Sequence, residues 1–382
     1  DIYKKLYTFL SSQFADKNFK RKIKMKKKKI GIVVLFWNDY EKTIDCIKSI
    51  YEQKNFQYTL ILVDNNSQKK YSNKIFKWLK NNKKKVINVN KKKYEENKFG
   101  SSKICFYIKN KFNYGCGLGH NPGYQFCIDN NLKYTARIDN DMVVPPNTIK
   151  NLVNRLERNK SINGISPKIM FVKKPTFIWW RGSEVGNNLK FQRNCASYSA
   201  NGHLDDKKFR GMIKTDAISG CASIMKTERL KRIGLSDPDF FYGEEDIELS
   251  YRLSESKESL WADLDEKIYH HVSETVGKNW AKNIYYNYKY RLVLIKKIGN
   301  IYDKTFGYSL AILKLFLSFF LIFDKYYSSR FVQRYYAIIH FFQKKYGPYD
   351  RINYIRVDRF FSDINKKTNL SFVLKKINSF KF

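Results

Sequence analysis

Apolar and polar positions alternate in blocks along this chain. Ile30–Phe36 (IGIVVLF) is a continuous apolar, β-branched run of the kind that forms a strand buried on both faces. Asp39–Gln53 follows with apolar residues at Ile44, Ile47 and Ile50, a helical period. Tyr58–Val63 (YTLILV) reads as a second buried strand, and it closes in Asp64-Asn65-Asn66-Ser67, polar residues where an open parallel sheet presents its ligand crevice. Helical spacing returns around Ile75–Leu79, and strand patterns at Val86–Val89 and Ile104–Ile108. This order predicts an α/β domain with a mainly parallel sheet.

Two segments then break the pattern. Asn113-Tyr-Gly-Cys-Gly-Leu-Gly-His-Asn-Pro-Gly holds glycines at 115, 117, 119 and 123 and reads as a loop, where missing side chains let backbone approach a phosphate or sugar. A dinucleotide-binding turn of an oxidoreductase is the alternative, because an acid, Asp139, lies twenty residues beyond Gly119. Against it, the segment follows several strands instead of the first, and Pro122 interrupts the glycine pattern. Tyr134–Met142 is strand-like and ends in two carboxylates one residue apart, Asp139 and Asp141. Mg²⁺ and Mn²⁺ prefer oxygen ligands and bridge one or two carboxylates to substrate phosphates, so this strand end is a candidate nucleotide site.

Toward the C-terminus, Ser309–Phe323 is strongly apolar but too short to span a bilayer and is interrupted by Lys314. It suits a core helix or an interfacial one. Phe331–Phe342 mixes aromatic and aliphatic residues with Arg334, beside Arg330, Lys344 and Lys345, a pattern suited to a headgroup region or to packing on the catalytic domain.

Composition narrows the class. The 382 residues are 43% hydrophobic and 16% aromatic, a globular balance, with a formal charge of +38 that calls for an anionic partner: nucleic acid, a membrane surface or a phosphorylated substrate. Abundant Lys, Asn, Ile, Tyr and Phe fit AT-rich coding, which accounts for part of that charge. No nucleic-acid module is recognisable and the basic residues are spread along the chain, so the expectation is no nucleic-acid partner. Cys46, Cys105, Cys116, Cys127, Cys195 and Cys221 have no paired or zinc-like spacing and read as reduced thiols of a cytosolic protein. Asp1–Lys29 is polar and basic without an apolar signal core, an arm that is either solvated or touches membrane, with Met25 as a plausible start of the folded part.

Taken together, Phe36-Trp37-Asn38, Val63-Asp64-Asn65-Asn66-Ser67, Asn113-Tyr-Gly115 with Asn121-Pro-Gly123, and Asp139-Asn140-Asp141 resemble family 2 glycosyltransferases of the GT-A fold. The resemblance continues through Ile165–Ile169, Trp180-Arg-Gly182, Ser219-Gly220-Cys221-Ala222, the acidic segment Phe240–Leu249 and Ile268-Tyr269-His270, covering about residues 29–295. The rhamnosyl- and galactofuranosyl-transferase-like subgroup is the nearest in pattern. The resemblance implies a Rossmann-like catalytic domain over 29–295; the chain's own pattern adds a basic arm over 1–28 and a helical, basic and aromatic region over 296–382 that suits association with a membrane.

The resemblance also implies roles. Asp141, with Asp139 and His270, would hold Mn²⁺ or Mg²⁺, His271 being the neighbouring rival of His270. Trp37, Asn38, Asp64, Asn66, Asn113, Gly115, Asn121, Asp139 and Asn140 would bind the nucleotide of a UDP- or dTDP-sugar. Gly220, Phe241, Tyr242 and Glu244 would face a glycan or lipid-linked acceptor. Asp246 would be the base, with Glu245 next in line, since an attacking hydroxyl must lose its proton to a carboxylate within reach. The acids at 244–246 also suit a helix N-terminus. One base without a second nucleophile implies inversion, and a lipid-linked acceptor implies a cytoplasmic enzyme at the inner face of the cell membrane, held by an anionic surface.

Overall fold

The computed structural model describes residues 30–95, 98–185, 191–192, 203–254, 259–272, 280–319 and 325–347. The N-terminal arm expected over 1–28, Cys195 and the chain beyond residue 347 lie outside them. The described residues form two compact units.

The first unit opens with β1 (Ile30–Phe36), α1 (Tyr40–Tyr51), β2 (Thr59–Asp64), α2 (Lys69–Asn81), β3 (Lys85–Asn88), β4 (Ile104–Lys109), α3 (Gly115–Asp129) and β5 (Tyr134–Asp139). It continues through β6 (Met142–Val143), α4 (Thr148–Arg158), β7 (Gly164–Phe171), β8 (Phe177–Trp180), β9 (Glu184–Val185), β10 (Phe191–Gln192), β11 (His203–Leu204), β12 (Met212–Lys214), β13 (Ala222–Lys226), α5 (Thr227–Ile233), α6 (Glu245–Leu253) and β14 (Leu260–His270). The central sheet runs β11-β8-β7-β13-β5-β1-β2-β4-β3, and its β5-β1-β2-β4-β3 section is parallel throughout. The α/β class with a parallel centre is therefore as the apolar blocks predict.

Burial on both faces explains the unbroken apolar runs. Along β1, Ile32 and Val34 join one core with Ile44, Ile47 and Ile50 of α1, while Val33 and Leu35 join a second with Tyr124 and Phe126 of α3. Successive strand side chains point to opposite faces, so a strand covered by helices on each side needs apolar residues at every position. Asp39 starts α1 by accepting a hydrogen bond from the Lys42 backbone N–H at 3.1 Å.

The glycine-rich segment departs from expectation. It is not a loop but the first half of α3, with Pro122 inside the helix. Gly115, Gly119 and Gly123 recur at i, i+4 and i+8 and so share a helix face. A Cβ at Gly119 would sit 2.8 Å from a Leu35 methyl, and one at Gly123 would sit 2.4 Å from a Val33 methyl. These glycines let the helix backbone approach the sheet. Gly115, at φ +76°, begins the helix from a conformation that a side chain resists.

The second unit combines Pro238–Glu244 with α7 (Trp280–Ile298), α8 (Ile301–Phe319) and α9 (Lys325–Phe342). Its core is rich in tyrosine. Lys289 is fully buried among Tyr285, Tyr286 and Tyr290, and its ammonium donates to the Tyr285 hydroxyl at 2.9 Å and to the carbonyls of Lys345 and Gly347 at 3.2 Å each. Burial lowers its pKa to about 7. Among the described residues no helix is long and apolar enough to cross a membrane.

Candidate active site

Strand register assembles the site at one edge of the sheet. Phe36 pairs with Asp64 and Leu35 with Asp139, so the polar residues that end β1, β2 and β5 emerge together at the strands' carboxyl ends. The order reverses there: β1 has β2 on one side and β5 on the other, the arrangement that opens a crevice in α/β sheets.

Short β6 carries the chain past Asp141 and pairs antiparallel with β14, matching Met142 to His270. This brings His270 Nε2 to 3.2 Å from Asp141 Oδ2, while the His271 N–H donates to the Asp141 backbone carbonyl at 3.0 Å. The register thus selects the His270 side chain for the carboxylate, and Trp179 meets its ring edge-on at 4.7 Å between centroids. Burial pulls the His270 pKa down, but the charge and hydrogen bond of Asp141 outweigh it and hold the imidazole above its usual range. For Asp141, burial pushes up, and the charge and hydrogen bond of His270 together with the Lys42 charge pull down, leaving the carboxyl below its usual range.

This pair fits a hard divalent cation. Neighbouring ligands on an octahedral ion with bonds of ~2.1 Å stand ~3 Å apart, close to the observed separation. Among the described residues no three His, Cys, Asp or Glu side chains converge tightly enough to hold an ion unaided. Such ions commonly take one or two protein ligands and complete their shell with phosphate oxygens and water. Asp139, the third expected ligand, has one oxygen engaged on the other side: its Oδ1 lies 3.5 Å from Arg137 Nε and 3.6 Å from His120 Nε2.

Arg137 is the residue that the sequence pattern did not single out. It is buried on β5, two positions before Asp139 and so on the same strand face, and its other arm reaches Glu245 Oε1 at 3.1 Å. One cation therefore connects the acid that ends β5 to the acidic helix start. Burial pushes the Asp139 carboxyl up to about 7 despite the guanidinium's pull, with the Asp141 charge adding to the rise. Burial likewise raises Glu245, against Arg137 and reinforced by Asp246. His120, also fully buried, is held neutral: burial, helped by the Arg137 charge, drives its pKa well below the usual value, and its Nδ1–H donates to the Cys116 carbonyl at 2.7 Å. A charged residue inside an apolar strand was the available signal, since such a residue almost always has a partner.

The acidic segment divides between the two units. Phe241 and Tyr242 pack on Tyr286 with centroids 5.8 and 5.5 Å apart, and Glu244 accepts from Arg291 Nη2 at 2.8 Å, all within the second unit. Glu245 and Asp246 begin α6 in the first. Glu245 is buried in its ion pair, whereas Asp246 is half-buried, accepting from the Gly220 N–H at 3.2 Å and from its neighbour Ile247 at 3.0 Å. A Cβ at Gly220 would lie 3.0 Å from the Asp246 carboxylate, so glycine there lets the backbone come close. Of the two candidates for base, Asp246 is the less buried.

The expected nucleotide residues separate into two groups. Trp37 is exposed, and Asn38 and Asn66 adopt left-handed conformations at φ +52° and +65°, with the Asn38 side chain accepting from the Gln68 N–H at 2.8 Å. Asp64 is instead fully buried, and its carboxylate accepts from the Ser67 N–H at 2.6 Å, Ser72 at 2.7 Å and the Tyr107 hydroxyl at 2.6 Å. It shapes the turn that presents Asn66 instead of facing the crevice. Asn113 accepts from Asn65 and from the Gly115 N–H at 2.9 Å each, Asn121 exchanges two bonds with the Ser236 backbone, and Asn140 donates to Thr43 at 2.9 Å. These hold the site's frame. The described cysteines, 46, 105, 116, 127 and 221, are free thiols.

The sequence profile of Glycosyl transferase family 2 matches residues 31–234, more than half of the 382 residues. The chain belongs to that family, and its first unit has the family's GT-A type of α/β fold. Among solved structures it is similar to GalNAc-T7 with UDP, GalNAc and Mn²⁺ at 16% identity and a TM-score of 0.47, over 63% of this chain and 43% of that one. It is also similar to the mannosyltransferase PcManGT of Pyrobaculum calidifontis in complex with GDP-Man and Mn²⁺, at 11% identity and a TM-score of 0.47, over 90% and 95% of the two chains. S. aureus TarS 1–349 is similar at 13% identity and 0.43, over 70% and 66%. The chain thus spans less than half the length of GalNAc-T7. No curated protein matches it.

Proposed function

We propose that this protein is an inverting glycosyltransferase that moves a sugar from a UDP- or dTDP-sugar to a hydroxyl of a glycan or lipid-linked acceptor, in the synthesis of cell-surface polysaccharide. Family membership supports the reaction class, and the observation that carries the site is the pairing of Asp141, between β5 and β6, with His270, the last residue of β14. Asp141 and His270 would hold Mn²⁺ or Mg²⁺, which when bound neutralises charge on the departing diphosphate. Trp37, Asn38 and Asn66 would meet the nucleoside. Asp246 would accept the acceptor's proton, the Gly220 N–H fixing one of its oxygens. Arg137 would keep Asp139 and Glu245 in place without touching substrate. The rhamnosyl- and galactofuranosyl-transferase-like pattern makes such sugars the first donors to supply.

Product analysis tests this reading. A panel of UDP- and dTDP-sugars with simple glycan acceptors and Mn²⁺ should yield a glycoside of inverted anomeric configuration by NMR. A retained configuration, or turnover undiminished by chelator, contradicts it.

A further inference from the structure

Helix α8 is built the wrong way round for a helix whose apolar side forms a protein core. Tyr302, Phe306, Ile312, Leu313 and Leu317 are between 50% and 74% exposed, while the small residues Gly307, Ala311 and Ser318 are buried. At ~100° per residue the large apolar side chains fill an outward arc of about 140°, shared only with Thr305 and Ser309. Asp303, Lys304 and Lys314 fall outside it. On the inward side the Tyr288 hydroxyl donates to the Ala311 carbonyl at 2.5 Å, and Arg334 donates to the Lys314 carbonyl at 3.0 Å, so α7 and α9 hold the small-residue face. An exposed apolar strip of this extent on one helix marks an interaction surface.

We propose that the outward face of α8 seats the protein on an anionic lipid bilayer, the helix lying in the interface plane. Charge selects this occupant. The chain carries +38, and residues 296–382 alone hold 17 Lys and Arg against 5 Asp and Glu. Basic residues next to an apolar strip add their attraction to its burial among lipid headgroups. No described helix is suited to crossing the bilayer, so the contact is peripheral. The surface stands apart from the catalytic reading, because binding to lipid needs neither donor nor acceptor.

Flotation with vesicles of phosphatidylglycerol and phosphatidylcholine tests it on the full chain. The wild type should float, and the combined Phe306→Glu, Leu313→Glu, Leu317→Glu variant should lose vesicle partition by about tenfold or more. The matched variant Phe112→Glu, Leu204→Glu, Tyr251→Glu changes charge equally at three other exposed apolar residues and should still float. Circular dichroism and thermal melting confirm that both variants are folded. Equal flotation of wild type and α8 variant, or no flotation of the wild type, overturns the proposal. So does a lipid-free wild-type dimer that the α8 substitutions convert to monomer, which would make a second copy the occupant.

Discussion

Replacing Arg137 by methionine tests whether one buried cation holds the catalytic edge together. The substitution keeps a long apolar stem and leaves Glu245, 3.1 Å away, and Asp139, 3.5 Å away, without their shared partner. Breaking a buried pair from one side typically costs about 3–5 kcal/mol. Proton uptake sets a ceiling: neutralising a carboxyl of ordinary pKa ~4.3 at pH 7 costs about 4 kcal/mol at ~1.36 kcal/mol per unit. A loss of about 3 kcal/mol in urea unfolding at pH 7 is therefore expected. The sign with pH follows. Burial already raises Glu245 above its unfolded value, and removing the guanidinium raises it further, so the folded variant retains a proton that the unfolded chain releases. Stability of the variant should fall more steeply than that of wild type as pH rises above the unfolded carboxylate value toward the folded pKa, by up to about 1.36 kcal/mol per pH unit for the retained proton. Adding Glu245→Gln should return at least half of the loss. A penalty that is independent of pH and untouched by Glu245→Gln would refute the coupling.

Other substitutions separate chemistry from scaffold. Asp246→Asn should lower turnover by ~10²–10⁴-fold while donor affinity, read by calorimetry, persists; normal turnover would point to another base. Asp64→Ala should cost about 3 kcal/mol in unfolding by leaving Ser72 and Tyr107 without their buried acceptor, a loss that a residue merely lining the crevice would not show. Gly123→Ala should destabilise by about 1–3 kcal/mol despite its better helix propensity, and Val33→Ala should relieve part of it.

The parallel sheet was legible because strands covered on both faces are apolar along their buried length, as in Ile30–Phe36 and in residues 60–63 of Thr59–Asp64. Family resemblance named Asp139, Asp141 and His270 together; the structure brings Asp141 and His270 within 3.2 Å of each other, and only the β6–β14 register decides that His270 and not His271 turns its ring to Asp141. Helix α3 was hidden because glycine and proline are read as helix breakers, although the i, i+4, i+8 glycines carried its period. The buried hydrogen bonds of Asp64 and the ion pairs of Arg137 were not legible for a common reason: periodicity tells which face a residue takes, not which polar partner waits there. The same limit concealed the inverted face of α8, whose apolar content fits a core until its large and small residues are placed on opposite sides.

The central claim is a donor site completed by a cation on Asp141 and His270. Thermal melting of wild type and Asp141→Ala with UDP- or dTDP-sugar, each with and without Mn²⁺, tests it most directly, because a ligand that binds only the folded state raises the melting temperature. The account predicts that donor stabilises the wild type only when Mn²⁺ is present, and that Asp141→Ala melts normally alone but loses this response. Donor stabilisation that is equal without metal, or intact in Asp141→Ala, would contradict it.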